Sequence, residues 1–298
     1  SANQVLKTDG SGSLSWTTSS SGASNVNGLS DALTEDNSTY IGQDPSSTTS
    51  TAEYNVSVGI TALDAVTTGD GNTAVGFNAL TANTSGEGNV AIGYNTLAAN
   101  TTASQNLAMG YNALAIQTTD GEFNTAVGSY TLDNNTIGDR NVALGYVALT
   151  ANSEGSKNTG IGTSSSKSNT TGSQNTSIGN SSLYSNTSAS YNTAIGARAL
   201  YNANRTDDED GYNTALGFNA GNTGTNDVTT GNKNTLLGAT TAASAAAGTN
   251  QTVIGYGASG IANNSVTIGN SDVTAWYPGG DNNADLGSSS VEFKDLYV

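Results

Sequence analysis

The side chains able to do chemistry in this sequence are few and of narrow type. No histidine and no cysteine occurs among the 298 residues. That removes Ser-His-Asp and Cys-His catalysis, zinc sites of the usual kind, and disulfides. Carboxylates and aromatic rings remain. Asp207, Asp208, Glu209 and Asp210 form one acidic run whose oxygens could hold Ca2+. The run lacks the spaced ligands of a calcium loop, so a solvated surface loop is the plainer reading. Glycoside hydrolysis needs two acids about 5–10 Å apart in a groove. Here the acids fall mostly in variable links and share no repeated position, so no enzyme activity is expected. Phe77, Tyr94, Tyr111, Tyr146, Phe218 and Tyr256 each follow a glycine of a recurring phrase. In register they would form a surface ladder, read either as a glycan-binding stripe or as packing.

What positions these residues is a repeat. A phrase of the form Asn-Thr-Ala-Val-Gly places glycines at 42, 59, 76, 93, 110, 128, 145, 162, 179, 196, 217, 238, 255 and 269. Nine of the thirteen gaps are 17 residues, and the others are 18, 21, 21 and 14. A period of this length predicts a solenoid. Ahead of each glycine the residues alternate, which marks a strand with two distinct faces. Val75, Ile92, Met109, Val127, Leu144, Ile161, Ile178 and Ile195 are read as the column filling the coil. Alanines one residue earlier, such as Ala74 and Ala91, are placed on the other side in a tighter contact. Leu63, Leu80, Leu97, Leu114, Leu132, Leu149, Leu183 and Leu200, four residues past the glycine, form a second apolar column. Each rung has room for two short strands and two polar, turn-rich connections. The extra residues of the 21-residue gaps are expected to bulge as loops.

Composition agrees with a thin scaffold. Only 35% of residues are hydrophobic and 6% aromatic, too little apolar mass for an ordinary globule of this size. One coil with so thin an interior buries little surface alone, so an intertwined homotrimer with the alanine column at its axis is expected. The net charge of −16 argues against nucleic acid and anionic membrane surfaces as partners. The absence of any run of about 20 apolar residues argues against membrane insertion as a helix. Asn37, Asn83, Asn100 and Asn186 begin Asn-X-Ser/Thr sequons, which in so polar a chain are read as coincidental.

The phrase Asn264-Ser265-Val266-Thr267-Ile268-Gly269-Asn270 resembles the head repeat of YadA-like trimeric autotransporter adhesins. The other rungs are similar but use Thr where that family has Val, and are about three residues longer. The resemblance implies a left-handed parallel β-roll assembled as a trimer. The stretch from Asn283 to Val298 is similar to the junction of bacteriophage tail fibres that leads into a self-cleaving chaperone domain. Gln4–Gly12 and Gly28–Leu33 are also similar to phage fibre segments, notably marine ones.

These readings divide the chain into a connecting segment at 1–37, an all-β parallel β-roll of about fourteen rungs at 38–270, and a junction at 271–298 leading toward a chaperone or tip domain. The function expected is a trimeric fibre or adhesin segment, extracellular on a virion or cell surface. Its partners would be itself and a host receptor, glycan or protein. Alternatives are a bacterial adhesin head that binds glycan or matrix directly, and a self-assembling or ice-binding filament that uses the column Thr73, Thr125, Thr159, Thr176, Thr193, Thr214 and Thr235. If the acidic run is only a solvated loop, EDTA will leave the melting temperature unchanged. A fall of several degrees would establish a structural cation.

Overall fold

The structure, a computed structural model, describes residues 37–42, 51–205 and 210–275, together with the backbone of three earlier strands. Among these, β1 (Gln4–Thr8) and β2 (Leu14–Thr18) form an antiparallel pair, and β3 (Ala32–Glu35) pairs antiparallel with β4 (Ser38–Gly42). From β4 onward the chain is a β-solenoid of about 13 turns, with one strand per rung. These are β5 (Val56–Gly59), β6 (Thr73–Val75), β7 (Val90–Ile92), β8 (Leu107–Met109), β9 (Thr125–Val127) and β10 (Val142–Leu144). They continue as β11 (Thr159–Ile161), β12 (Thr176–Ile178), β13 (Thr193–Ile195), β14 (Thr214–Leu216), β15 (Thr235–Leu237), β16 (Thr252–Ile254) and β17 (Val266–Ile268). The fourteen strands β4 to β17 pair in parallel, each with its sequence neighbours, in one sheet. Register is kept rung by rung: Val142 lies opposite Thr125 and Thr159, and Ala143 opposite Ala126 and Gly160.

The expected second strand of each rung is not formed. The leucines four residues past the glycine sit in the left-handed region, Leu80 at φ 52° and Leu97 at φ 48°, and so do residues two places earlier, such as Asn78 and Asn95. That conformation cannot continue an extended strand. The backbone still bonds to the next rung there, with Leu80 N–H donating to Thr96 O at 3.0 Å and Thr84 N–H to Thr101 O at 2.9 Å. The turns therefore stack as regularly as the strands.

The interior is also the reverse of the expectation. Ala74, Ala91, Ala108, Ala126, Ala143, Ala194 and Ala215 are fully buried inside the coil, against the equally buried leucine column. The large residues one place later, Val75, Ile92, Met109, Val127, Leu144, Ile161, Ile178 and Ile195, point outward and are half-buried or exposed. The space inside decides this. At Gly160 a Cβ would already lie 3.1 Å from Leu149 Cγ, so the strand position facing the leucines has room for alanine and little more. Where the leucine is missing, the strand residue grows in its place. Gly221 and Ala242 occupy the leucine position of two late rungs, and Leu236 and Val253 are the buried strand residues there. The second long insertion takes part as well: Val228, from the segment expected to bulge, is fully buried and donates its N–H to Gly221 O at 2.9 Å. It fills part of the gap that Gly221 leaves.

The rung phrases from Gly59 to Gly238 each begin with an asparagine, and these form a buried column through the rod. Asn141 shows the pattern. Its Oδ1 accepts from Asn158 N–H at 2.9 Å, its Nδ2 donates to Gly155 O at 2.9 Å, and its own N–H donates to Asn124 Oδ1 at 2.9 Å. The column runs without a break from Asn55 to Asn234, begins on Ser38 Oγ, and ends on Gln251. A second amide column runs through Asn135, Asn152, Asn169 and Asn186, where each Nδ2 donates to the preceding Oδ1 at 2.8–2.9 Å from Asn152 onward. The buried Asn186 Oδ1 has no donor because Ala203 stands at the next position. Asn100 Oδ1 is likewise left over, because the next residue in line, Gln117, turns its Nε2 to Gly121 O.

The apolar core is interrupted once. One cluster ends at Leu149 and the next begins at Leu183, and between them lie Ser165, Ser166, Ser177 and Ser182, all buried. Their hydroxyls bond one another, Ser165 to Ser177 at 2.7 Å and Ser166 to Ser177 at 2.8 Å.

Two outcomes are expected. Asn141→Leu leaves the buried Asn158 N–H without its acceptor and Gly155 O with Asn152 Nδ2 as its remaining side-chain donor, which costs about 1–3 kcal/mol and should lower the denaturation midpoint far more than Gln105→Leu on the exposed surface. Ser166→Leu with Ser177→Ala restores the leucine–alanine pattern and bridges the two apolar clusters. It should stabilise the rod by about 1–3 kcal/mol, read as a higher denaturation midpoint.

Candidate binding surface

With the coil interior closed by alanine, leucine and asparagine, the outward side of the sheet is the candidate surface. Two columns cover it. The first strand residue is Thr or Val in most rungs, and is Thr without interruption from Thr159 to Thr252. The third residue is Val, Ile, Leu or Met throughout β4 to β17 apart from the glycine-ended first strands, where Ile41 and Val58 hold the same register. Exposed members include Val58 at 39%, Leu216 at 44% and Ile268 at 45%. The third-residue column is thus apolar and continuous, about 60 Å long at the usual parallel-strand spacing, and runs beside a column that is largely threonine.

A corner closes each side of this face. At the corner leaving the strand stands the aromatic ladder. Phe77 and Tyr94 stack with centroids 5.3 Å apart, and Tyr94 and Tyr111 stack at 5.1 Å and 5°. Tyr130 joins next, tilted against Tyr111, and Tyr146 meets Tyr130 edge-on at 6.4 Å. Tyr130 escapes a search of the residue after each glycine because it lies one place further on, after Gly128 and Ser129. It takes the place that Asn78, Asn95 and Asn112 hold in the preceding rungs, two after the glycine. Phe218 and Tyr256 do not belong to the ladder; alanines (Ala197, Ala239) occupy the same position in neighbouring rungs. Within the ladder the rings Phe77, Tyr94 and Tyr111 cover one another's faces and present edges to solvent. A sugar docks on a ring face, so this stretch is poorly shaped for a glycan stripe.

The corner entering the strand carries a second column, which sequence reading did not single out. It holds Phe123, Arg140, Lys157, Gln174, Tyr191 and Tyr212, all exposed. Arg140 lies over the Phe123 ring at 5.2 Å and pairs with Asp139. Gln174 donates to the Tyr191 hydroxyl at 3.2 Å, and Tyr191 stacks on Tyr212 at 4.9 Å. The hydrogen bond to Asp210, with the charge of that carboxylate beside it, raises the Tyr212 phenol above its ordinary pKa.

Of the acidic run, only Asp210 is among the described residues; Asp207, Asp208 and Glu209 lie outside them. Among the described residues no group of three acids is placed to hold a metal ion. Asn83, Asn100 and Asn186 prove to be fully buried in the second amide column, which shuts these sequons to glycosylation, whereas Asn37 is exposed. Two open cavities occur where the period breaks. One of about 340 Å³ lies between Arg198, Tyr201 and Asn202 of one stretched rung and Asn219, Asn222 and Thr223 of the next. The other, about 360 Å³, is lined by Thr119, Asp120, Glu122, Ile137 and Asp139 beside the 18-residue gap. Among the described residues no helix is long and apolar enough to cross a membrane.

Fold and surface together define a single-sheet β-solenoid with an apolar outer face. No protein family, curated protein or solved structure matches the chain.

Proposed function

We propose that this chain is a rigid segment of an extracellular trimeric fibre or adhesin, projecting from a virion or cell surface and serving attachment to a host. The observation that carries this reading is the apolar outer face. Fourteen in-register strands turn Val, Ile, Leu and Met outward along the whole rod, a patch far larger than an isolated soluble chain normally leaves to water. Three coils turned face-inward around one axis would cover it. The homotrimer expected from the sequence thus acquires a different contact, the Thr/Val and Val/Ile/Leu columns instead of the alanines. A left-handed coil, as in the adhesin heads whose repeat the Asn264–Asn270 phrase resembles, is part of the same reading. Length and rigidity supply the function: every rung repeats the same bonds, and nothing in the period requires a reacting centre.

Light scattering of the intact chain should give three times the 29.8 kDa chain mass. Ile178→Lys, in register with Ile161 and Ile195 on the outer face, would bring three like charges together at the axis. It should shift the mass toward that of the monomer while the far-ultraviolet circular dichroism stays unchanged. A monomeric wild type overturns the proposal.

A further inference from the structure

In the rungs from Gly162 to Gly217, the third and fourth residues after the glycine are buried and the fifth returns to the surface. This fifth place lies on the turn, away from the outer face of the sheet. It holds Lys167, Tyr184, Tyr201 and Asn222 in successive rungs. Tyr184 and Tyr201 stack with centroids 4.8 Å apart and planes at 9°. Lys167 Nζ lies over the Tyr184 ring at 5.6 Å, and the Arg198 guanidinium lies over the Tyr201 ring at 5.3 Å. Cation, ring, ring and cation thus form one stack, which gathers two of the eight basic residues of a chain whose net charge is −16.

The stack stops where the period breaks. Asn222 stands where a third ring would, and the chain then enters the extra residues of the second 21-residue gap. The cavity of about 340 Å³ opens at this break, and none of the residues lining it is acidic. One carboxylate stands at its margin, and both oxygens are engaged: Asp227 Oδ2 accepts from Asn202 Nδ2 at 2.7 Å, and Oδ1 accepts from Gly224 N–H. The other cavity has the opposite character, with Asp120, Glu122 and Asp139 in its lining and no cation. Among the described residues Arg198 forms no ion pair, and its side chain is exposed. Asn219, on the far wall of the same cavity, has an Oδ1 shielded from solvent and without a donor.

We infer that this cavity binds a carboxylate-bearing sugar, a hexuronic acid unit of a glycan. The Arg198 guanidinium takes the carboxylate through paired N–H groups, the geometry in which arginine recognises a planar anion. Tyr201 holds the guanidinium in place and does not itself receive the sugar, since Tyr184 and Arg198 cover its two faces. Sugar hydroxyls both donate and accept, and they meet the amides of Asn219 and Asn222 and the Thr223 hydroxyl. A hydroxyl entering here gives the Asn219 amide a donor to turn toward. The volume lies at the lower end of the range for small-ligand sites and suits one sugar ring. The net charge of −16 repels dense polyanions at long range, so a singly charged unit fits better than a sulfated chain. As a receptor contact the site rests on the attachment reading above. Its position off the outer face leaves it open when subunits cover that face.

Two probes that differ in one group, methyl β-D-glucuronide and methyl β-D-glucoside, test the assignment on the intact chain. Titration by saturation-transfer NMR should show the glucuronide bound about tenfold or more tightly, the factor expected for hydrogen bonds to a charged group. Arg198→Gln should abolish that preference while the circular dichroism stays unchanged. Arg140→Gln, at the entering corner, should leave the preference intact. Acetate should compete weakly, because it lacks the hydroxyls. The site is overturned if neither glycoside binds, if the two bind equally, if acetate competes as well as the glucuronide, or if the preference survives Arg198→Gln. In each of those cases a trimeric mass by light scattering leaves the fibre reading standing. A monomer that keeps the preference removes the trimeric fibre and leaves the sugar site.

Discussion

One buried bond recurs through the rod and everything else depends on it: an asparagine side chain that accepts from the backbone N–H of the next asparagine in line. The carbonyl of each amide satisfies a donor in the rung above, and its NH2 ties down the link that closes the rung. Backbone polar groups in so thin an interior have no water to turn to, and leaving one unpaired would cost as much as many methyl groups gain. With these groups satisfied, a chain poor in large apolar residues can remain ordered. The alanine and leucine columns then only need to fill a narrow space.

The same economy of space sorts the residues. A coil whose inner width admits one leucine and one methyl group must send its remaining bulky side chains outward. The outer face is apolar because the interior is full. The late rungs follow the same rule in reverse, since Gly221 and Ala242 give up volume that Leu236, Val253 and Val228 take. The serines between Leu149 and Leu183 are an exception to the rule; their volume is small and their hydroxyls bond one another.

Much of this was legible in the sequence. Periodicity gave the solenoid, the rung length, the parallel pairing and the leucines as an apolar column, because a repeat of this regularity leaves few ways to stack. Alternation before the glycine correctly identified two faces at Ala143 and Leu144 but not which one turns inward. Size favours the larger residue for a core until the leucine from the turn is counted, and the turn's left-handed backbone, which aims that leucine inward, has no signal in residue type. The asparagine column was visible as a letter in eleven of the fourteen phrases. Its role was not, because an amide is common in turns and only three-dimensional register shows it meeting its own kind. The corner columns were half visible: rings after glycine stand out by type, whereas Phe123, Arg140, Lys157 and Gln174 share a position and no chemistry.

The glycine that ends each strand carries a consequence for how such a molecule can change. At Gly93, φ is 132° and an added Cβ would lie 2.5 Å from the carbonyl oxygen of Gly110, so the rungs touch there backbone to backbone. What one rung presents upward is therefore nearly the same as what every other rung presents, with side chains taking little part. Excising or duplicating one 17-residue unit leaves donors facing acceptors across the new joint, and the molecule shortens or grows by about 4.8 Å. Reach is in this sense a quantity that recombination within the coding sequence can adjust in single steps, without a new fold having to be found at each length.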